Sequence, residues 1–272
     1  MSNIITVQPG VNPSNGPTYP IPMVQAAPGT VWMPLPPTIH QCPQGLEYLN
    51  HLDQVQIYQL KDLLEIVLDW ETRNKYVMKN ANGEQCYYAL EESGCCERLM
   101  CGPQRGFTMH IVDNFKREVL TIKRVMMMNQ NGCFGCCACI ECCQHECSIE
   151  TPSMGLLGTV RQTFACMKTN FEVLDAQNQV IFEIEAPDCC TLMGCQDQLF
   201  EIKSNGVVIG AITKKWTGMC REFLTDADTF FVNFPKDLDV KLKGVLIGAT
   251  FLIDFMVFEK PKDNSGWLSL LV

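Results

Sequence analysis

The sequence contains no recognisable catalytic apparatus. No nucleophile elbow, phosphate loop or paired-acid motif occurs in its 272 residues. The four histidines, His40, His51, His110 and His145, share no catalytic spacing. No covalent chemistry is implied, so the chain is not read as an enzyme. Basic residues are scarce: Lys and Arg total 21 against 30 Asp and Glu, for a net charge of −9. That excludes the electropositive footprint of a nucleic-acid binder. It leaves a membrane role open, because local basic or acylated segments dominate there. Long apolar runs are missing as well. No stretch reaches the roughly eighteen apolar residues of an ordinary membrane-spanning helix. The opening residues lack the basic segment and continuous apolar run of a secretion signal.

Against these absences stand seventeen cysteines. With no secretion signal they are not expected to form a disulfide framework. Metal ligands, acylation sites and small buried hydrophobes remain as readings.

Charge is absent altogether from residues 1–46, which hold ten of the fifteen prolines. Such a segment buries too little apolar surface to offset its ordering entropy and is expected to be a disordered tail with polyproline character. Pro17 to Pro20 and Pro34 to Pro37 have the PxxP spacing of SH3- and WW-type ligands. No Arg or Lys flanks either, and a plain spacer is the competing reading. A globular β domain is expected over 47–260, followed by a second tail over 261–272.

Within the domain an internal pattern recurs. Tyr76 to Tyr87 carries an aromatic at each end of an eleven-residue step, with Asn80 and Gly83 between. Phe171 to Phe182 repeats the step around Asp175-Ala-Gln-Asn178, and Phe107 to Ile122 is a looser copy turning at Asp113-Asn114. Polar turns between β-rich runs predict hairpins. Gly158 to Phe164 and Gly210 to Trp216 share a second spacing of glycine, β-branched residue and aromatic. The pattern predicts one continuous sheet of hairpins, closed so that no edge strand stays open.

The last element, Gly244 to Phe258, is apolar on every face except at Thr250 and Asp254. Fifteen helical residues span about 22 Å, short of the ~30 Å hydrocarbon core. A helix apolar all round is buried in protein or in lipid. Length favours protein: a central helix, assigned to 240–259, inside a β-barrel. Gly244, Leu246, Ile247, Phe251, Leu252, Ile253, Asp254 and Phe255 are its defining residues.

In combination these features resemble the phospholipid scramblase family. The similarity runs from Trp32 to Glu259. It is carried by Trp32-Met-Pro, Cys42 to Leu49 (CPQGLEYL), Asn74-Lys-Tyr76, Cys101-Gly-Pro103 and Gly210 to Gly218 (GAITKKWTG). Thr225 to Asp228 (TDAD), Phe234 to Lys241 (FPKDLDVK) and Gly248 to Phe255 (GATFLIDF) continue it. The resemblance implies a Tubby-like fold: a closed antiparallel barrel of about twelve strands around a hydrophobic C-terminal helix. The family's last helix has also been described as a membrane span, so both fates of that helix stay open.

The resemblance also implies site residues. Residues 133–147 read CFGCCACIECCQHEC. A family cysteine cluster at this place carries palmitate, which would fall on Cys133, Cys136, Cys137, Cys139, Cys142 and Cys143. Each buried CH₂ adds ~0.8 kcal/mol of membrane affinity, and two chains are needed for a stable anchor. Iron–sulfur or zinc ligation by Cys133, Cys136, Cys139 and Cys143 is the rival reading. The family's calcium segment falls on 226–237, with Asp226, Asp228, Asn233 and Asp237 as oxygen donors. Phe230 and Phe231 occupy positions where an EF-hand needs an oxygen ligand and a glycine, so only weak Ca²⁺ binding is expected. A solvated turn followed by a strand, with Phe230, Val232 and Phe234 alternating, is the competing reading. Lys214-Lys215-Trp216 aligns with a family segment linked to nuclear import.

The function implied is calcium-responsive, ATP-independent, bidirectional movement of phospholipids between leaflets. Its setting would be the plasma membrane, with the N-terminal bulk cytoplasmic and a nuclear pool when unacylated. One short helix offers no hydrophilic groove for headgroups, so oligomers or local bilayer disturbance are expected. An acylated adaptor recruiting partners through the proline-rich tail, and a metal protein, are the alternatives.

Overall fold

The computed structural model describes residues 30–34, 36, 42–60, 74–92, 105–113, 115–124, 144–163, 168–188, 192, 195–216 and 228–259. A 3₁₀ turn, Glu47–His51, leads into twelve strands. They are β1 (Gln54–Leu60), β2 (Lys75–Lys79), β3 (Gln85–Glu92), β4 (Phe107–Val112), β5 (Glu118–Arg124) and β6 (Glu146–Thr151). Then come β7 (Gly155–Thr163), β8 (Asn170–Asp175), β9 (Val180–Glu185), β10 (Gln198–Ser204), β11 (Val207–Lys214) and β12 (Thr229–Asn233). Each strand pairs antiparallel with its sequence neighbours. β1 closes the circle by pairing with β12 as well as β2, Val55 opposite Val232 and Ile57 opposite Phe230. The expected closed barrel is therefore what forms.

The recurring hairpins owe their likeness to one turn chemistry. Asn80, Asp113 and Asp175 each begin a turn, and each side-chain oxygen accepts N–H bonds from the residues two and four further on, at 2.8–3.0 Å. Short polar side chains favour such turns because they can bond their own backbone. The residue three further on, Gly83, Lys116 or Asn178, takes a left-handed backbone. In every case the register slips just before the turn, at Met78/Lys79, Ile111/Val112 and Val173/Leu174. The slip is a β-bulge, which adds twist and helps a sheet curl into a barrel.

Helix α1 (Val240–Ile253) runs through the barrel and ends in a π turn, Asp254–Phe258. Of its fourteen residues, twelve are buried. The structure thus resolves the two fates left open for this helix in favour of the protein interior. Among the described residues no helix is long and apolar enough to cross a membrane. Gly248 marks the closest approach to the wall: a Cβ there would lie 2.4 Å from Ile149 Cγ1 on β6. The Asp239 side chain caps the helix start, accepting the Lys241 N–H at 2.8 Å. Lys243, buried in the same turn, donates to the carbonyls of Leu49 (3.0 Å), Leu52 (2.7 Å) and Lys236 (2.7 Å). A buried ammonium with three acceptors has its hydrogen-bonding capacity filled.

The folded unit takes in residues that composition assigns to the tail. Met33 N–H donates to Gln85 O, and Gln85 N–H to Val31 O, so this stretch pairs with β3. Trp32 packs edge-on against Tyr88 outside the barrel, 5.5 Å between centroids. Leu46 is fully buried. An uncharged segment can supply such anchors once a wall exists to receive them.

Replacing Leu252 with Arg places an unpaired charge in this interior. We expect Leu252→Arg to abolish the cooperative thermal transition and yield aggregated protein. A soluble variant melting with the wild type would contradict the packing described.

Candidate functional site

The strand order gives the barrel two unlike ends. Tight turns join β2–β3, β4–β5, β6–β7, β8–β9 and β10–β11 at one, here the hairpin end, where the helix also starts. The connections β1–β2, β3–β4, β5–β6, β7–β8, β9–β10 and β11–β12 lie at the other, the loop end, where the helix finishes.

Ionisable groups gather around the helix terminus at the loop end. Asp254, buried, accepts a hydrogen bond from Tyr76 Oη of β2 at 2.9 Å. Burial above all, and the nearby Asp228 carboxylate second, push the Asp254 carboxyl from its ordinary 3.8 up to about 7, against the pull of Lys214. Lys214 Nζ pairs with Asp228 Oδ1 at 2.8 Å and lies 3.9 Å from the Phe258 ring centroid. One step further out, Arg105 joins Glu91 (2.8 Å) to Glu259 (2.7 Å) and lies over the Phe255 ring. Desolvated, hydrogen-bonded pairs of this kind strongly resist loss of one partner. The arrangement latches the helix terminus to β2, β3, β11 and the approach to β4. It contains no nucleophile–base geometry.

The residues singled out from the sequence are distributed as follows. Asp226 lies outside the described residues. Asp228 stands just before β12 at the loop end, paired with Lys214. Asn233 ends β12 and accepts a bond from Gln54 at 2.7 Å. Asp237 is exposed at the hairpin end, in the turn before the helix. Five strand steps of ~3.3 Å put Asp228 and Asn233 about 16 Å apart. They are not brought into one coordination shell, and β12 occupies the middle of the segment. Among the described residues no cluster of three or more His, Cys, Asp or Glu is placed to hold a metal.

Cys133, Cys136, Cys137, Cys139, Cys142 and Cys143 lie outside the described residues. Their flanks, Arg124 and Gln144, are at the loop end. Pro17, Pro20 and Pro37 are likewise outside, while Pro34 is exposed beside the buried Trp32. Gly244, Leu246, Ile247, Phe251, Leu252, Ile253, Asp254 and Phe255 are all buried. Lys214 and Lys215 each hold a carboxylate, of Asp228 and Asp197, and Trp216 is half exposed. Sequence reasoning missed Tyr76, Arg105 and Lys214 as partners of the helix, and the carbonyls of Leu49, Leu52 and Lys236 as acceptors for its own Lys243. The signal available was Asp254 itself, an acid in an apolar run that demands an internal partner.

A closed twelve-stranded barrel threaded by its own C-terminal helix defines the structural class. Comparison with known proteins then places the chain. The Scramblase family model matches residues 33–260, and the chain belongs to that family. It is 44% identical over 235 residues to phospholipid scramblase 1 of Homo sapiens, covering 86% of this chain and 71% of that protein. With phospholipid scramblase 2 of Bos taurus it shares 43% over 235 residues, 86% and 78% of the two chains. With phospholipid scramblase family member 5 of Homo sapiens it shares 39% over 234 residues, 84% and 83%. No solved structure gives a significant match.

The buried acid makes stability depend on pH. Its folded value lies above the unfolded one, so the stability it contributes is complete below about pH 4 and is lost as pH rises through about 7. Three pH units correspond to about 4 kcal/mol. Asp254→Asn should flatten this slope and exceed the wild type in stability at pH 8. Denaturant unfolding at pH 5 and pH 8 measures it, and an Asn variant with the full wild-type slope would assign the dependence elsewhere.

Proposed function

We propose that this chain moves phospholipids between the two leaflets of a membrane, without ATP and without covalent chemistry. Family membership over residues 33–260 carries the reading, since the relatives it matches are named phospholipid scramblases. The helix is committed to the barrel interior, so the path of the lipid is not that helix. Transport then acts through the barrel's outer surface, by assembly of several copies or by local disturbance of the bilayer.

Attachment is proposed to come from palmitate on the cysteine run, tethered at the loop end between Arg124 and Gln144. The residence proposed is the cytoplasmic leaflet of the plasma membrane. The calcium response is proposed to act through Asp226 and Asp228, with Asn233 and Asp237 outside that shell. Lys214 already neutralises Asp228 at 2.8 Å. An incoming Ca²⁺ must displace this ammonium, which keeps affinity nearer millimolar than micromolar.

Reconstitution of the full chain into liposomes carrying fluorescent lipid tests transport. Dithionite should quench lipid beyond the outer-leaflet share, and more so with Ca²⁺. Folded protein that leaves quenching at the empty-liposome level would favour the adaptor reading. Replacing all six cysteines of the run with Ala should shift much of the protein from the membrane pellet to the soluble fraction. A variant that stays wholly in the pellet would make acylation a minor anchor. Calorimetric titration of the wild type against Asp226→Ala/Asp228→Ala checks the cation, and equal Ca²⁺ heats would move the site elsewhere.

A further inference from the structure

Eight large apolar side chains are exposed among the described residues, and five crowd the hairpin end. Met154 and Leu156 belong to the β6–β7 hairpin, Val180 to β8–β9, and Val207 and Val208 to β10–β11. They are 43–65% exposed. These three hairpins are consecutive around the barrel. Apolar exposure concentrated in this way marks an interaction surface, unlike singly scattered residues.

The turns carrying these residues satisfy much of their own backbone. Met154 N–H donates to Thr151 O, and Asn178 N–H to Asp175 O. Asp175 Oδ1 accepts the N–H groups of Gln177 and Gln179. Tips closed on themselves can enter a layer of low dielectric without bringing unmade backbone bonds.

Beside Met154 the same end holds a cavity of about 210 Å³, lined in part by Gly45, Arg117, Glu118, Pro152 and Ser153. The Arg117 side chain is 40% exposed, and its bonds to Asp113 engage Nε and Nη2. Arginine carries five donors in a planar fork suited to phosphate oxygens. Ser153 adds a hydroxyl. The one carboxylate in the lining, Glu118, is engaged by His110 and Thr121, at 2.6 and 2.7 Å. Lys116 sits on the same turn as Arg117. A half-exposed guanidinium and a hydroxyl in a cavity next to aliphatic tips match a molecule whose anionic headgroup adjoins its acyl chains. Protein interfaces instead bury a continuous, well-packed core, which separate hairpin tips do not offer.

Resting on the lipid-transport reading above, we propose that the hairpin end is an acyl-independent bilayer contact. Met154, Leu156, Val180, Val207 and Val208 enter the interfacial layer, and Arg117 with Ser153 receives the phosphate of an anionic phospholipid.

Flotation of full-length, unacylated protein with vesicles of phosphatidylcholine and phosphatidylserine tests this. Leu156→Glu/Val207→Glu changes two exposed positions and should leave the melting temperature unchanged while weakening binding at least about tenfold, since each buried aliphatic side chain is worth more than 1.4 kcal/mol. Leu199→Glu/Trp216→Glu, exposed positions away from the hairpin tips, should bind as the wild type. Arg117→Gln should narrow the preference for serine-containing over pure phosphatidylcholine vesicles. Wild-type protein that does not float, a tip variant that binds normally, or a loss confined to the Leu199/Trp216 variant each overturns the proposal. Displacement of the wild type by inorganic phosphate, with tip variants unaffected, would assign the cavity to free phosphate and overturn it too. Binding is read without transport, so absent scrambling with intact flotation counts against the proposed function alone.

Discussion

Twelve strands enclose more space than their own inward side chains can fill. Barrels of about eight strands pack solid, and wider ones hold a ligand, a channel or a plug. Here the plug is the C-terminal helix, and its demands explain most other features of the molecule. It must be apolar on all sides, because every side faces a wall. It must be thin where the wall is close, hence Gly248 against Ile149. Its two ends are fastened in place by specific polar contacts. Asp239 and the three carbonyls around Lys243 serve one terminus. Tyr76, Lys214 and Arg105 with their partners serve the other.

The barrel was legible in the sequence to the extent that its hairpins are local. Asn80, Asp113 and Asp175 announce their turns because the bonds they make reach only two and four residues ahead. The helix was legible as an element, and its shortness pointed inward. Its partners were not legible: Tyr76 meets Asp254 across 178 positions, and the Lys243 ammonium meets Leu49 across 194. No local pattern encodes such separations. Residues 226–237 show the opposite hazard. Their acids invited a loop, yet the alternation of Phe230, Val232 and Phe234 is the pattern of a strand with one buried face, and that face pins β12 into the sheet. Burial of two phenylalanines and a valine outweighs the weak claim of scattered carboxylates.

The unlike ends of the barrel bear on how a scramblase-family protein can meet a bilayer when its only described long helix is already occupied. The loop end carries the flanks of the cysteine run and the helix terminus. The hairpin end carries bare aliphatic tips and a cavity lined in part by Arg117 and Ser153. The attachment and the lipid contact proposed above would thus fall to different ends of the barrel. The interior, filled by the helix, holds the barrel surface in shape.

The plug is also the last described part of the chain to be made. Until residue 258 has left the ribosome, the preceding strands line a space with nothing to put in it. Their inward Phe171, Phe182, Phe200 and Phe230 have no helix to cover them. First and last strands must also meet for the circle to close, a contact of long sequence separation that forms slowly. Nascent chains therefore pass through a stage with open sheet edges and a wet apolar lining, the condition that recruits chaperones. Release of the helix through residue 258, after all twelve strands, is the event that lets the barrel fill and close.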